Sequence, residues 1–445
     1  LAGDATVLRF VRDVLLGAPT EPDAGLRRRK LAFVRRFQQF TAPVMAKAME
    51  DTAFYRYNRL VSLNDVGGDP RTFGIGVEDF HLAIERTACA HPYGLLATST
   101  HDSKRSEDVR ARIDVLSEMP GAWRLALRRW RRLNERRKTR LGDAAAPSAN
   151  DEYLYYQTLL GVWPFEPPAP DEKAGLEERL QACMLKSVRE AKRHTSWMNP
   201  DPDYESALAA FVRRTLADED GFLADFRAFH AQVARFGAFN SLSMQLLKLA
   251  APGVPDLYQG CEGWNFSLVD PDNRRPVDFA GAAARLQALQ RDYPDGAGTA
   301  GLEAMLHMLA DGRLKHYLLW RGLELRRRME ATLRDGYYLP LDVRGKAARH
   351  VVAFARVGDA GAVVAIATRL LFGLSGGDAA RIGDPATWAG TRVALPWQHA
   401  ARGWREVLSG RRLPQSDDVA AALDLSGLFG PLPLALLVAE RGEEA

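Results

Sequence analysis

Two short apolar runs, each opening into a burst of polar residues, constrain the fold of this chain more than any other feature. Residues 93–98 (YGLLAT) lead into Ser99, Thr100, His101, Asp102, Ser103, Lys104 and Arg105. Residues 254–258 (VPDLY) lead into the polar stretch 259–275. Apolar runs of this length between polar loops suit buried parallel strands, and in a (β/α) barrel the functional loops follow the strand ends. Around the two runs the periodicity is helical. It covers 107–250, broken at 142–150 and at the Pro-rich 164–170, then 279–334, with Pro252-Gly253 stopping the helix ahead of the second run.

The two ends of the chain read differently. Residues 1–40 suggest helix with a basic break at Arg27 to Lys30, and the Gly- and Pro-containing stretch 64–76 must be loop. An amphipathic pattern (Val7, Leu8, Phe10, Val11, Val14, Leu15) begins almost at once after Leu1, so the chain reads as starting in the middle of something. Beyond His350 the period falls to two. Segments 351–357 and 362–369 flank Gly358-Asp359-Ala360-Gly361, which predicts a β-hairpin. Further strands are expected at 391–395, 404–408 and 434–438, making a small antiparallel β domain.

Composition limits the function classes. With 47% hydrophobic and 26% charged residues over 445 positions, the chain is globular and long enough for two or three domains. No apolar run is long enough to span a bilayer, and no basic-then-apolar leader opens the chain. Three scattered cysteines, Cys89, Cys183 and Cys261, fit a reducing cytoplasm and exclude a cysteine-based metal site. The net charge of +4 is small. Its one concentration is 124–140, with nine basic residues against Glu135. Leu125, Leu127, Trp130 and Leu133 thread an apolar stripe through it, so a solvated helix face is expected rather than a nucleic-acid patch.

Taken alone, His101-Asp102 at a strand end has several readings. An ionised Asp there can hold sugar hydroxyls, with His as a donor. Asp102 can equally cap the helix expected to begin near Ser106. A third reading is a metal-dependent phosphohydrolase of the HD type, with His81 or His91 as further ligands, which requires the dipeptide on a helix.

The surrounding residues narrow the choice. The segment ATSTHDSKRSEDVRAR (97–112) closely resembles the signature around the third catalytic carboxylate of maltooligosyltrehalose synthases, a family of the α-amylase class. Three more segments resemble that family in its own order. They are TAPVMAKAMEDTAFYRY (41–57) in the substrate cleft, NDEYLYYQTLLGVW (150–163) in the helical insert, and PGVPDLYQGCE (252–262) with SLVDPDNRRPVDF (267–279) at the last barrel strand. The resemblance covers roughly residues 30–370. It implies the C-terminal part of a (β/α)8 TIM barrel with a large helical insertion, followed by a small antiparallel β-sandwich. The expected divisions are 1–106 (barrel segment ending in the third-carboxylate loop), 107–237 (helical insertion), 238–335 (last barrel strand and following helices) and 336–445 (β domain).

The resemblance also implies a chemistry. The family turns the reducing-end α-1,4 bond of a maltooligosaccharide into an α,α-1,1 bond, a step of trehalose biosynthesis, without a cofactor or metal. An Asp attacks the anomeric carbon and a Glu protonates the leaving oxygen. A third Asp, matched here by Asp102 with His101 beside it, grips ring hydroxyls in the transition state. Substrate contacts are expected from Lys47, Glu50, Asp51, Tyr55 and Arg56, with one helical turn placing Asp51 and Tyr55 on the same face. Others are expected from Lys104, Arg105, Tyr258, Trp264, Asp270, Asn273 and Arg274. The plain alternative is surface exposure for Lys104 and Arg105, and salt bridging or core packing for most of the others. The nucleophile and acid of the family lie on earlier strands, and no matching motif occurs in the 40 residues before the 41–57 segment. Arg112-Ile113-Asp114 carries an Arg-x-Asp pattern but falls after the third-carboxylate motif, within helix. The isolated chain is therefore expected to be inactive, to associate with the missing half or with itself, or to persist as a non-catalytic glucan-binding remnant.

Overall fold

The computed structural model describes residues 5–17, 22–396, 403–413 and 422–440. They fall into two compact units, Leu1–Tyr57 with Ser187–Pro200, and Asn58–Lys186 with Asp201–Ala445.

The first unit is built on the helices Ala5–Leu15 and Ala24–Met49. Asp23 caps the second, its carboxylate accepting the Gly25 and Leu26 amides. The basic break expected at Arg27 to Lys30 does not occur. These residues lie inside the helix, because the cap sits upstream and Arg and Lys are good helix formers when solvated. The helix ends at Met49, where the Glu50 and Asp51 amides converge on the Ala46 carbonyl and the Thr52 hydroxyl takes the Lys47 carbonyl at 2.8 Å. Asp51 therefore lies beyond the helix and Tyr55 in a separate 3₁₀ turn, Ala53–Tyr55, so one helical turn does not carry both.

In the second unit, strands Leu95–Ala97 and Val254–Asp256 pair in parallel, Leu95 opposite Val254 and Ala97 opposite Asp256. Gly253 makes this pairing possible. Its φ is +113°, and a Cβ there would lie 2.7 Å from the Gly94 carbonyl oxygen, which accepts the Val254 amide. Both strands are shorter than the runs that announced them.

Helices fill most of the intervening sequence, but a small hairpin, Thr139–Leu141 with Ala144–Ala146, straddles the start of the anticipated 142–150 break and replaces expected helix at 139–141. The helix Pro120–Asn134 buries Trp123, Ala126, Trp130 and Asn134, while Leu125 and Leu133 face solvent. The expected stripe was thus one step out of register. The buried positions follow i, i+3, i+7, i+11, and Trp130 decides the face by packing edge-on against Trp123, Phe222 and Phe229.

The C-terminal region is antiparallel. A six-stranded sheet runs in the order Arg412–Leu413, Trp404–Glu406, Ala435–Ala439, Gly361–Thr368, Val351–Gly358, Tyr337–Pro340. A three-stranded sheet joins Ala422–Asp424, Arg392–Ala394 and Val343–Arg344. The expected hairpin is present with Gly358 opposite Gly361. Its strands are buried nearly throughout rather than on alternate residues, and the helix Phe222–Ala250 packs on Gly361–Thr368. No helix among the described residues is long and apolar enough to cross a membrane.

Candidate functional site

The loop that follows Leu95–Ala97 carries His101 and Asp102 in an exposed turn. Its base is fastened from both sides. The Ser99 hydroxyl accepts the Glu107 amide at 2.8 Å, the Thr98 hydroxyl bonds the Glu107 carboxylate, and Arg110 reaches the Thr98 carbonyl. Within the loop, the Thr100 amide donates to Ser103 Oγ at 3.0 Å and the Asp102 amide to Thr100 Oγ1 at 3.1 Å. The helix that follows, Glu107–Asp114, has Ser106 at its N-cap position. Asp102 is therefore not its cap, and no described residue bonds the Asp102 carboxylate.

The second loop meets the first. Asn273, in the 3₁₀ turn Asp272–Arg274, donates from Nδ2 to the His101 carbonyl at 2.9 Å and lies 3.4 Å from that of Thr100. The Tyr258 hydroxyl donates to the Asn273 carbonyl at 3.0 Å. His101, Asp102, Tyr258 and Asn273 are thus gathered in one place. The Ser106 amide bonds the Ser267 carbonyl at 3.0 Å, and Arg105 bridges Leu268, closing the seam between the loops.

The other expected contacts divide. Asp270 and Arg274 form an ion pair at 2.5 Å, with Lys186 on the Asp270 carbonyl at 2.7 Å, as in the plain salt-bridge reading. Trp264 is half-buried, its indole N–H on the Leu309 carbonyl and its ring 5.5 Å from that of Phe165. With Phe266, Arg179 and Arg275 it lines an open cleft of about 430 Å³. Lys104 and Arg105 are buried, not surface residues as the plain reading had it, and Arg105 reaches toward the Val61 carbonyl. In the first unit Lys47 pairs with Asp51, Tyr55 is buried, and Arg56 donates to the Ala191 carbonyl. Glu50 sits at the helix C-cap.

Sequence reasoning gave no role to the cluster directly beneath the loop. Glu107 and Asp108 are fully buried, with Lys315 bonding Glu107 at 2.7 Å and Asp108 at 2.8 Å. Lys248 reaches Thr98 at 2.6 Å and Glu107 at 3.4 Å, and Asp108 takes the Asn265 amide at 2.7 Å. Burial pushes Glu107 up, but Lys315 and Lys248 outweigh it and hold the carboxyl at about 2. Burial likewise disfavours the Lys315 charge, and the two carboxylates overcome it, raising its pKa. For Asp108, burial with the Glu107 charge prevails over Lys315 and the pKa rises. Burial pushes the neighbouring Cys261 thiol up to about 12. Two adjacent acids directly after a polar loop, followed much later by lysines within apolar helices, were the available signal. Pairing across 208 residues was not legible.

The HD-type alternative fails on this geometry. The dipeptide lies in a turn after a strand, His81 is hydrogen-bonded to the Tyr338 hydroxyl, and no three His, Cys, Asp or Glu residues among those described converge as metal ligands do.

No family model matches the chain. Over 407 residues, 91% of its length, it is 36% identical to a Mycobacterium tuberculosis protein provisionally named maltooligosyl trehalose synthase, of which it covers 45%. The solved maltooligosyltrehalose synthase from Arthrobacter ramosus matches with a TM-score of 0.74 at 35% identity, over 94% of this chain and 49% of that one. Another maltooligosyl trehalose synthase structure matches at 0.71 and 31%, covering 95% and 50%. The chain spans about half the length of the relatives it matches. Along nearly its whole length the chain is similar to maltooligosyltrehalose synthases, over about half of their length.

Proposed function

We propose that this chain supplies the transition-state-stabilising carboxylate and part of the sugar cleft of an enzyme that converts the reducing-end α-1,4 bond of a maltooligosaccharide into an α,α-1,1 bond. The observation that carries the reading is Asp102. Its backbone and neighbours are pinned by Thr100, Ser103 and Asn273, while its carboxylate faces solvent with no described partner. A charge held in place and left unspent suits hydroxyls whose bonds tighten as the ring flattens toward an oxocarbenium ion. His101 sits beside it as a second hydroxyl contact, and Asn273 and Tyr258 hold the turn.

The nucleophilic Asp and the acidic Glu of such a double displacement come from outside these residues. The released glucose must then turn over and attack with its anomeric hydroxyl before water does, which requires a closed pocket. Trp264 is proposed to line it. Lys104, Arg105, Asp270 and Arg274 are proposed to brace its walls. The first-unit residues Lys47, Glu50, Asp51, Tyr55 and Arg56 are proposed as sugar contacts on the grounds of the resemblance alone. The parallel strands are read as adjacent strands of a (β/α)8 barrel. Residues 1–106 and 238–335 then form its barrel segments, 107–237 an insertion and 336–445 a β-sandwich. Cys89, Cys183 and Cys261, which form no disulfide, suit the cytoplasm.

The test joins this chain to the nucleophile- and acid-bearing half of a full-length relative and follows trehalosyl ends formed from maltopentaose. The hybrid should turn over and the separate 445-residue chain should not. A hybrid that folds but stays inactive, or a separate chain that is active, overturns the reading.

A further inference from the structure

At the opposite end of strand Leu95–Ala97 from Asp102 lies a second cavity, of about 360 Å³, within the range of small-molecule sites. It is walled by the helix Val77–Ala90, residues 92–93, and the edge strand Tyr337–Pro340 with its neighbour Val351–Gly358. Two tyrosines at its rim, Tyr93 and Tyr337, are 62% and 61% exposed and leave their ring faces open at the cavity mouth. The Tyr93 hydroxyl donates to Asp335 at 3.1 Å, and Asp335 pairs with Arg334 at 2.9 Å.

The wall also contains Arg356, which is 2% exposed. One of its amino groups donates to the Gly336 carbonyl at 2.8 Å, while Nε and the other amino nitrogen are buried without a hydrogen-bond partner. Those two nitrogens have no accessible surface, so Arg356 gives the wall its shape and charge rather than donors for a ligand. The lining charges balance, Glu85 and Asp335 against Arg334 and Arg356, so the site favours neither an anion nor a cation. Exposed tyrosine faces, planar hydrogen-bonding groups and no net charge fit a neutral polyhydroxylated ring.

We propose that this cavity is a second, non-catalytic carbohydrate site that holds an α-1,4-linked glucan segment away from the Asp102 loop. The choice of glucan among neutral sugars rests on the function proposed above; the site itself does not. Holding a chain at two places raises its effective concentration at the reacting end.

Cys89 provides the probe, since it lines the cavity and is exposed whereas Cys183 and Cys261 are buried. Alkylation of Cys89 by iodoacetamide, followed by peptide mapping on the 445-residue chain, is measured with and without maltopentaose. The glucan should slow Cys89 by about tenfold when present at ten times its Kd, as mass action requires for an occluded thiol. The Tyr93→Ala/Tyr337→Ala variant, altered only at exposed rings, should lose the protection, and Asp102→Asn should keep it. Glucose 6-phosphate should protect no better than glucose. An unchanged Cys89 rate at every maltopentaose concentration overturns the proposal. So does protection that survives loss of both tyrosines, that vanishes with Asp102→Asn, or that is stronger for the phosphorylated sugar. Failure here leaves the activity test of the hybrid untouched, and failure of the hybrid leaves Cys89 protection measurable.

Discussion

The side-chain amide of Asn273 donates to the main-chain carbonyl of His101 at 2.9 Å, tying together loops 172 residues apart in sequence. The bond places the strand-end turn relative to the second loop without occupying either side chain of the His101-Asp102 pair. Asn273→Ala in the hybrid should therefore lower kcat by about tenfold with a smaller change in KM, while a neutral hydrogen bond of this kind is worth only about 1 kcal/mol of stability. Steady-state kinetics beside a urea titration separates the two effects. A loss of stability with unchanged kcat would make Asn273 a fold contact only.

Asp102→Asn keeps size and hydrogen-bonding capacity and removes the charge. In the hybrid it should lower kcat about a hundredfold, roughly 2.7 kcal/mol of transition-state stabilisation, with KM nearly constant. Because Ser106 holds the N-cap position, the variant should melt within about a degree of the parent. Near-normal kcat would remove Asp102 from the mechanism.

Lys315→Met leaves Glu107 and Asp108 buried without their shared cation. Breaking a buried pair in this way costs about 3–5 kcal/mol, so the urea midpoint should fall markedly. Lys248→Met, whose contact with Glu107 is longer at 3.4 Å, should cost less. Equal losses would contradict the geometry.

The same cluster sets an acid limb. Glu107 titrates at about 2 in the folded chain against an ordinary 4.5, so its contribution is complete above pH 4.5 and drains away as the pH falls toward 2. Lys315, with a raised pKa, keeps its charge throughout that range and does not shape the limb, while Asp108, with its pKa raised by burial, slopes the other way and gains as the pH falls. Glu107→Gln should be less stable at neutral pH yet show a flatter dependence of Tm between pH 4.5 and 2.5. A parallel slope would place the acid sensitivity elsewhere.

In the first unit, Phe33, Phe37, Phe40, Val44 and Met45 are exposed on a helix with no buried residue. The separate chain should consequently bind a hydrophobic dye and self-associate, and joining it to the other half should suppress both. A monodisperse, dye-silent chain in sedimentation would exclude an open apolar face.

What the sequence revealed was local. The runs at 93–98 and 254–258 mark strands because apolar stretches between polar loops admit few other structures, and Gly358 to Gly361 marks a turn by its own backbone freedom. The loop bearing His101 and Asp102 was legible for the same reason. Failures came where a cap or a distant contact decides. Arg27 to Lys30 stay helical because Asp23 caps ahead of them, and Asp51 leaves its helix because Thr52 captures the Lys47 carbonyl. Leu125 and Leu133 face outward because Trp130 packs on the distant rings of Phe222 and Phe229 as well as on Trp123. The pairing of Glu107 with Lys315 has no periodicity to announce it.

Burial of the hairpin Val351–Gly358/Gly361–Thr368 beneath the helix Phe222–Ala250 also orders how the molecule opens. Amides on these elements have no route to solvent short of disrupting the sheet, so their deuterium uptake should be governed by global unfolding. The helix Ala24–Met49, with nothing buried along its length, should exchange through local fraying. Protection factors would then separate by orders of magnitude inside one chain, with Thr98, at the base of the Asp102 loop, anchored to the slow-exchanging side by Lys248 near the end of the helix Phe222–Ala250.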